Sequence, residues 1–289
     1  METNNLFGFI NIYKPVGMTS HDVVAFLRRL TKIKQIGHAG TLDPFAEGVL
    51  PIAVGKAARL IEYLEDDKAY IGRFCFGRST TTFDIDGETV NTFDTKLSAQ
   101  DFINLPLPKG EIEQTPPIYS AKKVNGKKLY EYARAGEDVE IESRIVNIYE
   151  SKVLSFDTDE QCADILIECS KGTYIRTIAD ELGKSINNGC YLSKLKRIKS
   201  GRFELNTSVK LEDLNTSEDV EYHVLNPLDY LNLPYQELNE VEFKRAKRGM
   251  TVYNRINEQK GFVLLVQNRN IAAISKVEKG ELRPVKVFI

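Results

Sequence analysis

The order of the periodic segments constrains this chain most. Runs that alternate like strands and runs with one apolar helical face follow each other without a strict βαβα rhythm. A doubly wound parallel sheet needs that rhythm, because each parallel pair requires a crossover. The pattern predicts an α+β fold, a mixed, largely antiparallel sheet with flanking helices. FGFINIY reads as a short strand ending at Lys14-Pro15, and Thr19 and Asp22 resemble a capping box for a helix with Val23, Phe26, Leu27 and Leu30 on one face. Leu50–Val54 reads as a buried strand, followed by a helix with Ala57, Leu60, Ile61 and Leu64 on one face. Tyr70–Phe76, Ile145–Phe156 and Ala163–Ser170 read as strands, and a Gly172 turn leads into a helix with Ile175, Ile178, Ala179, Leu182 and Ile186 on one face.

A length of 289 residues suits one large domain or two unequal ones. The acidic stretch around Pro227 and Pro234 places a boundary near 231–236, giving units of 1–232 and 233–289. In the second, a short helix ending at Gly249 and three short strands, Phe262–Gln267, Ile271–Lys276 and Val285–Ile289, form a small β-rich unit. With 42% hydrophobic and 28% charged residues, a disordered chain or a small disulfide scaffold is excluded. No apolar run reaches the roughly 18 residues of a membrane span, and no secretory signal is visible, so a cytoplasmic protein is expected. Cys75, Cys162, Cys169 and Cys190 show no C-x-x-C spacing, which argues against structural zinc and fits a reduced cytosol. The three histidines are too scattered for a metal cluster.

A net charge of -2 hides segregation. Tyr119–Arg134 carries five basic residues and one acid, Lys194–Arg202 five and none, and Lys244–Arg248 four and none. Opposing them, 84–113 has seven acids against two bases, and 204–242 ten against one. Lysine and arginine neutralise phosphates and tyrosine rings stack on bases, so the interleaved Tyr119, Tyr130, Tyr132 and Tyr191 point to a polyanion surface. A basic cleft and an acidic back are expected.

The most unusual segment is GHAGTLDPFAEGVLPI at 37–52, a small, apolar, Gly-rich loop around one aspartate, Asp43. Such a loop reads either as a constrained site or as an Asp-Pro turn with a locally bonded carboxylate. Longer motifs surround it. KPVGMTS at 14–20 and GHAGTLDPFAEGVLPIAVG at 37–55 resemble the TruB family of tRNA pseudouridine synthases. The likeness extends through DKAYIGRFCFGRSTTTFDIDG at 67–87, QTPPIYSAKKVNGKKLYEYAR at 114–134, CSKGTYIRTIADELG at 169–183 and LSKLKRIKSGRF at 192–203. These motifs span about 8–205 in the family's order.

The resemblance implies the pseudouridine synthase fold, an RNA-binding insertion at about 105–145, and a short C-terminal PUA-like RNA-binding domain. It implies conversion of uridine 55 in the T-arm of tRNA to pseudouridine, with no metal, no organic cofactor and no membrane or obligatory protein partner, by a monomer. It assigns the nucleophile to Asp43, a pairing arginine to Arg176 and a tyrosine stacked on the extruded base to Tyr70. Leu195 is implied as the apolar wall and His38 as a residue lining the RNA cleft. Lys14, Arg59 and Arg197 are implied as basic contacts. Asp84 is either a partner of Arg176 or a residue of a plain turn. Attack on C1′, a glycal route through C2′, and attack on C6 all remain open. A carboxylate suits each, since it attacks when ionised and its adduct is reversible. The guanidinium fork of Arg176 is expected to hold Asp43 through two bonds. Where many members have L-R-R, this chain reads Leu195-Lys196-Arg197.

Overall fold

The computed structural model of the chain describes residues 6–120 and 122–288. Its main sheet is built from β1 (Gly8–Lys14), β2 (Ile36–His38), β3 (Glu47–Val54), β4 (Lys68–Phe76), β5 (Gly110–Gln114), β6 (Arg144–Asp157), β7 (Cys162–Cys169), β8 (Cys190–Ser200), β9 (Phe203–Glu204) and β10 (Val209–Lys210). The order is β10-β1-β3-β8-β4-β7-β6-β5, with β2 on β3 and β9 on β8. Only β1–β10 and β3–β8 run parallel, so the sheet is mixed and largely antiparallel, as the sequence pattern predicts.

The two longest helices among the described residues cover this sheet. In α1 (Ser20–Thr31) the Thr19 side chain accepts from the Asp22 amide, and the Asp22 carboxylate accepts from the Thr19 amide. Val23, Val24 and Leu27 then pack on Ile10, Ile12, Leu50 and Ile52. The opposite face of β1 and β3 presents Phe9, Val49 and Ala53 to a second core. Strand β3 is thus buried on both faces, which explains its continuous apolar run. The second helix, α2 (Ile175–Ser185), lays Ile175, Ile178 and Leu182 on Phe74, Ile165, Ile167 and Leu192. The segment expected as a helix around Leu60 is a 3-10 helix, Gly55–Tyr63.

The C-terminal sheet comprises β11 (Tyr235–Glu237), β12 (Val252–Tyr253), β13 (Phe262–Gln267), β14 (Asn270–Glu278) and β15 (Glu281–Val287), in the order β11-β13-β14-β15-β12. Helix α3 (Glu240–Lys247) packs on it through Ala246. This is a small β-rich, PUA-like unit. Its Leu264 and Ile274 share one core with Phe9 and Val49 of the main sheet and Leu60 of the 3-10 helix.

Two features depart from expectation. The basic run from Lys194 lies within β8, a strand between β3 and β4, where Lys194 and Lys199 are exposed but Arg197 is buried. Cys75 and Cys162 form a disulfide, so the cysteines are not all reduced. They are direct cross-strand partners on β4 and β7, with Cα atoms 4.2 Å apart. Cys169 and Cys190 are free and buried. No helix among the described residues is long and apolar enough to cross a membrane.

Candidate active site

Asp43 sits in the loop between β2 and β3. Ser20, at the start of α1, pins the preceding residue: its Oγ donates to the Leu42 carbonyl at 3.1 Å and accepts from the Leu42 amide at 2.8 Å. The Gly17 and Ala46 amides donate to the Pro44 and Asp43 carbonyls at 2.8 and 3.1 Å. The backbone is held while the carboxylate stays open, with the Asp43 side chain 33% exposed.

Arg176 reaches Asp43 from the first turn of α2. Its side chain is 4% exposed, and its Nε donates to Asp43 Oδ2 at 2.9 Å. The expected two-bond fork does not form. Nη1 donates to the Thr82 carbonyl at 3.1 Å and Nη2 to the Tyr119 carbonyl at 2.9 Å. The guanidinium is anchored on two loops and spends one bond on Asp43. Asp84 supplies a second charge, with Oδ2 3.4 Å from Nη1. It also accepts from Thr82 Oγ1 and, at 3.1 Å, from the Asp86 amide. Burial pushes the Asp84 carboxyl up; the Thr82 bond and Arg176 oppose that. Of the two readings left open for Asp84, the geometry places it beside Arg176.

Asp43 and Arg176 border a cleft of about 380 Å3. Tyr70 of β4 and Leu195 of β8 both line it. Burial raises the Tyr70 phenol, more than Arg197 lowers it, so the ring enters as a neutral phenol. Lys68 lies two residues before Tyr70, on the same face of β4. It lines the cleft with Lys122, Lys171 and Tyr174. The sequence pattern gives Lys68, Lys171 and Tyr174 no role and Lys122 only a place in a basic run; the period of two from Tyr70 is the signal that could have found Lys68. Gln114, fully buried, also escapes a reading from sequence. Its side chain accepts from the Tyr174 amide at 2.7 Å and donates to the Tyr174 carbonyl at 3.1 Å, fixing the chain two residues before Arg176.

The other expected contacts are placed differently. Lys14 has no solvent exposure; its Nζ donates to the Pro15, Met18 and Pro44 carbonyls at 2.8, 2.7 and 3.4 Å. Burial lowers its pKa to about 8. Arg197 is also fully buried, donating from Nε to the Val49 carbonyl at 2.7 Å and from Nη1 and Nη2 to the Thr41 and Gly40 carbonyls at 3.3 and 3.2 Å. Neither cation faces solvent as a phosphate contact must. Arg59 is away from the cleft: its Nη1 donates to the Val287 carbonyl at 3.0 Å and its guanidinium covers the Phe288 ring. The 3-10 helix that carries it packs on the C-terminal sheet. His38, half-buried on β2, is not among the residues lining the cleft. Burial, then Arg197, lowers its pKa, and its buried Nδ1 has no partner among the described residues.

Known proteins resemble the chain over nearly its whole length. The TruB family pseudouridylate synthase (N terminal domain) matches residues 28–175. The tRNA pseudouridine synthase B of Caldanaerobacter subterraneus subsp. tengcongensis is 40% identical over 286 residues, 97% of this chain and 99% of that protein. The tRNA pseudouridine synthase B of Streptococcus mutans serotype c is 42% identical over 294 residues, 98% and 99% of the two chains. Among solved structures, a chain of a Cbf5-Nop10-Gar1 complex superposes with a TM-score of 0.73 at 24% identity, covering 100% of this chain and 86% of that one. A chain of an H/ACA RNP bound to a substrate RNA containing 2'-deoxyuridine gives a TM-score of 0.73 at 22% identity, covering 98% and 85%. These two likenesses concern the fold.

Proposed function

The chain belongs to the TruB family of pseudouridylate synthases, and from that premise we propose that it isomerises uridine 55 in the T-loop of tRNA, with Asp43 as nucleophile. The enzyme is a tRNA pseudouridine synthase, an isomerase. The observation that carries the finer reading is the Asp43–Arg176 pair at the mouth of the cleft. A carboxylate left open on one side is held at 2.9 Å by a guanidinium whose other nitrogens are fixed.

A uridine stacked in a folded loop must leave the stack before its glycosidic bond can be reached, at a cost of a few kcal/mol. Tyr70 offers a ring for the extruded base and Leu195 an apolar wall. Lys68, Lys122 and Lys171 give the cleft a positive rim suited to phosphates. On the C1′ route, Asp43 attacks C1′ as the N1–C1′ bond breaks, and the uracil departs as an anion. The base turns, C5 attacks C1′, and the carboxylate leaves again. The C5 proton is then lost and N1 takes one up, which restores the ring as an isomer of the starting base. The glycal route uses the same carboxylate as a base on the C2′ proton, and the C6 route uses it as a nucleophile on the base. Arg176 balances the carboxylate charge in each, and Asp84 orients Arg176. We further propose that the C-terminal sheet binds RNA outside the T-arm.

The test is Asp43→Asn. Its tRNA Kd should stay within about threefold of wild type while pseudouridine at position 55 falls by about 10⁴-fold or more, the scale expected on losing an attacking group. Normal turnover in this variant removes Asp43 from the reaction. Pseudouridine at another position, with 55 untouched, overturns the site assignment.

A further inference from the structure

Arg197 is the largest side chain without solvent exposure among the described residues. A buried guanidinium is costly unless its donors are spent. Here they are spent on main-chain carbonyls at both ends of one loop. Gly40 and Thr41 precede Asp43, and Val49 follows it on β3. The side chain ties the entry of the Asp43 loop to its exit. Its own backbone is fixed beside the same loop, since Arg197 pairs with Gly48 in the short parallel contact between β8 and β3. That approach needs a glycine: Gly48 has φ +108, and a Cβ there would meet the Arg197 carbonyl oxygen at 2.3 Å. Arg197 also borders the cleft, between Tyr70 and the loop.

We propose that Arg197 is a positioning residue for the isomerisation, setting where the Asp43 carboxylate stands relative to the sugar, and that it does not contact RNA phosphate. This rests on Asp43 being the nucleophile. The three carbonyls are met by three different nitrogens, Nε, Nη1 and Nη2, a spread that the single nitrogen of a lysine at this position does not reproduce. Loss of the fork frees the loop at its entry, and a misplacement of about 1 Å at a nucleophile costs about 100-fold in rate. A phosphate contact behaves otherwise. Its removal weakens binding across RNA sequences and lowers the slope of log Kd against log salt by about one.

The experiment compares Arg197→Lys and Arg197→Met with wild type and Asp43→Asn, using full-length tRNA. Single-turnover rate, tRNA Kd at several salt concentrations, and thermal stability are measured. Both Arg197 variants should lose about 100-fold in rate with Kd within about threefold and an unchanged salt slope. If Arg197→Met does not fold, Arg197→Lys carries the test, since it keeps the charge and loses the fork. A wild-type rate in Arg197→Lys overturns the proposal. So does a weakened Kd with a shallower salt slope, which makes Arg197 a phosphate contact. A fall of rate, affinity and stability together makes it general scaffold and also overturns it. Full activity in Asp43→Asn would instead remove the underlying reading, whatever the Arg197 variants do.

Discussion

Lys68 carries its ammonium group into a nearly dry part of the cleft, with a side chain 10% exposed. Its Nζ donates to the Asp66 carbonyl at 2.7 Å, and the Asp66 carboxylate, shared with Lys171, is the nearest acid. Burial, then Arg197, lowers its pKa from 10.5 to about 8. Between those two values the unfolded chain holds the proton and the folded chain does not, so stability rises with pH across the window. Below pH 8 the folded state bears the full cost of the buried charge. Lys68→Met should therefore stabilise the protein at pH 7, by up to about 3 kcal/mol, with the advantage shrinking as pH rises toward 10. Urea denaturation at pH 7 and pH 9.5 measures this; an advantage that grows with pH contradicts it. The same substitution should weaken tRNA binding, because the charge faces a cleft that accepts a polyanion.

The junction of β3 and β8 is the element on which the site turns. Gly48→Ala places a Cβ at φ +108 against the Arg197 backbone, 2.3 Å from its oxygen and 3.0 Å from its nitrogen. The strands must part, at a cost of about 3 kcal/mol, and Arg197 must draw away from Gly40 and Thr41. Unfolding midpoint and single-turnover rate should fall together; a variant with wild-type rate would show that the junction does not govern Asp43. This junction is half legible in the sequence. The apolar run of β3 announces a strand, and the glycines mark close approach. Strand β8 is hidden, because Lys194, Lys196, Arg197 and Lys199 mask the buried positions Cys190, Leu192, Leu195 and Ser200. Irregularities after Leu192 and Arg197 also break the period of two. Helix α1 is legible to its cap, since Thr19 and Asp22 act locally. The Arg176 anchors are not. They are carbonyls of Thr82 and Tyr119, 94 and 57 residues away in sequence, and backbone acceptors leave no residue signature.

Across the whole molecule, charge runs in sequence and charge around the site are different things. The cleft is lined by Lys68, Lys122, Lys171, Arg176 and Arg197. Of these, only Lys122 and Arg197 come from the basic runs, and Arg197 is turned inward. Lys196 is paired with Glu47 at 2.8 Å. The third run lies on α3 and its capping residue Arg248; Lys244, Lys247 and Arg248 are exposed, and none of them lines the cleft. Yet the C-terminal sheet shares a core with β1 and β3, so α3 is carried on the body that holds Asp43. A tRNA extends well beyond its T-arm, and a basic helix on that body can meet a distant phosphate without touching the reacting base. Reversing the three charges (Lys244→Glu, Lys247→Glu, Arg248→Glu) should therefore weaken full-length tRNA binding about tenfold or more and flatten its salt slope by about 0.9 for each phosphate no longer neutralised. The rate at saturating tRNA should stand, because no α3 side chain lines the cleft. An isolated T-arm hairpin is the control: it lacks the rest of the tRNA, so its Kd should be unchanged by the reversal. Equal weakening for hairpin and tRNA would place α3 against the T-arm itself. An unchanged tRNA Kd would mean that this run is a solvated face, and that affinity comes from the cleft alone.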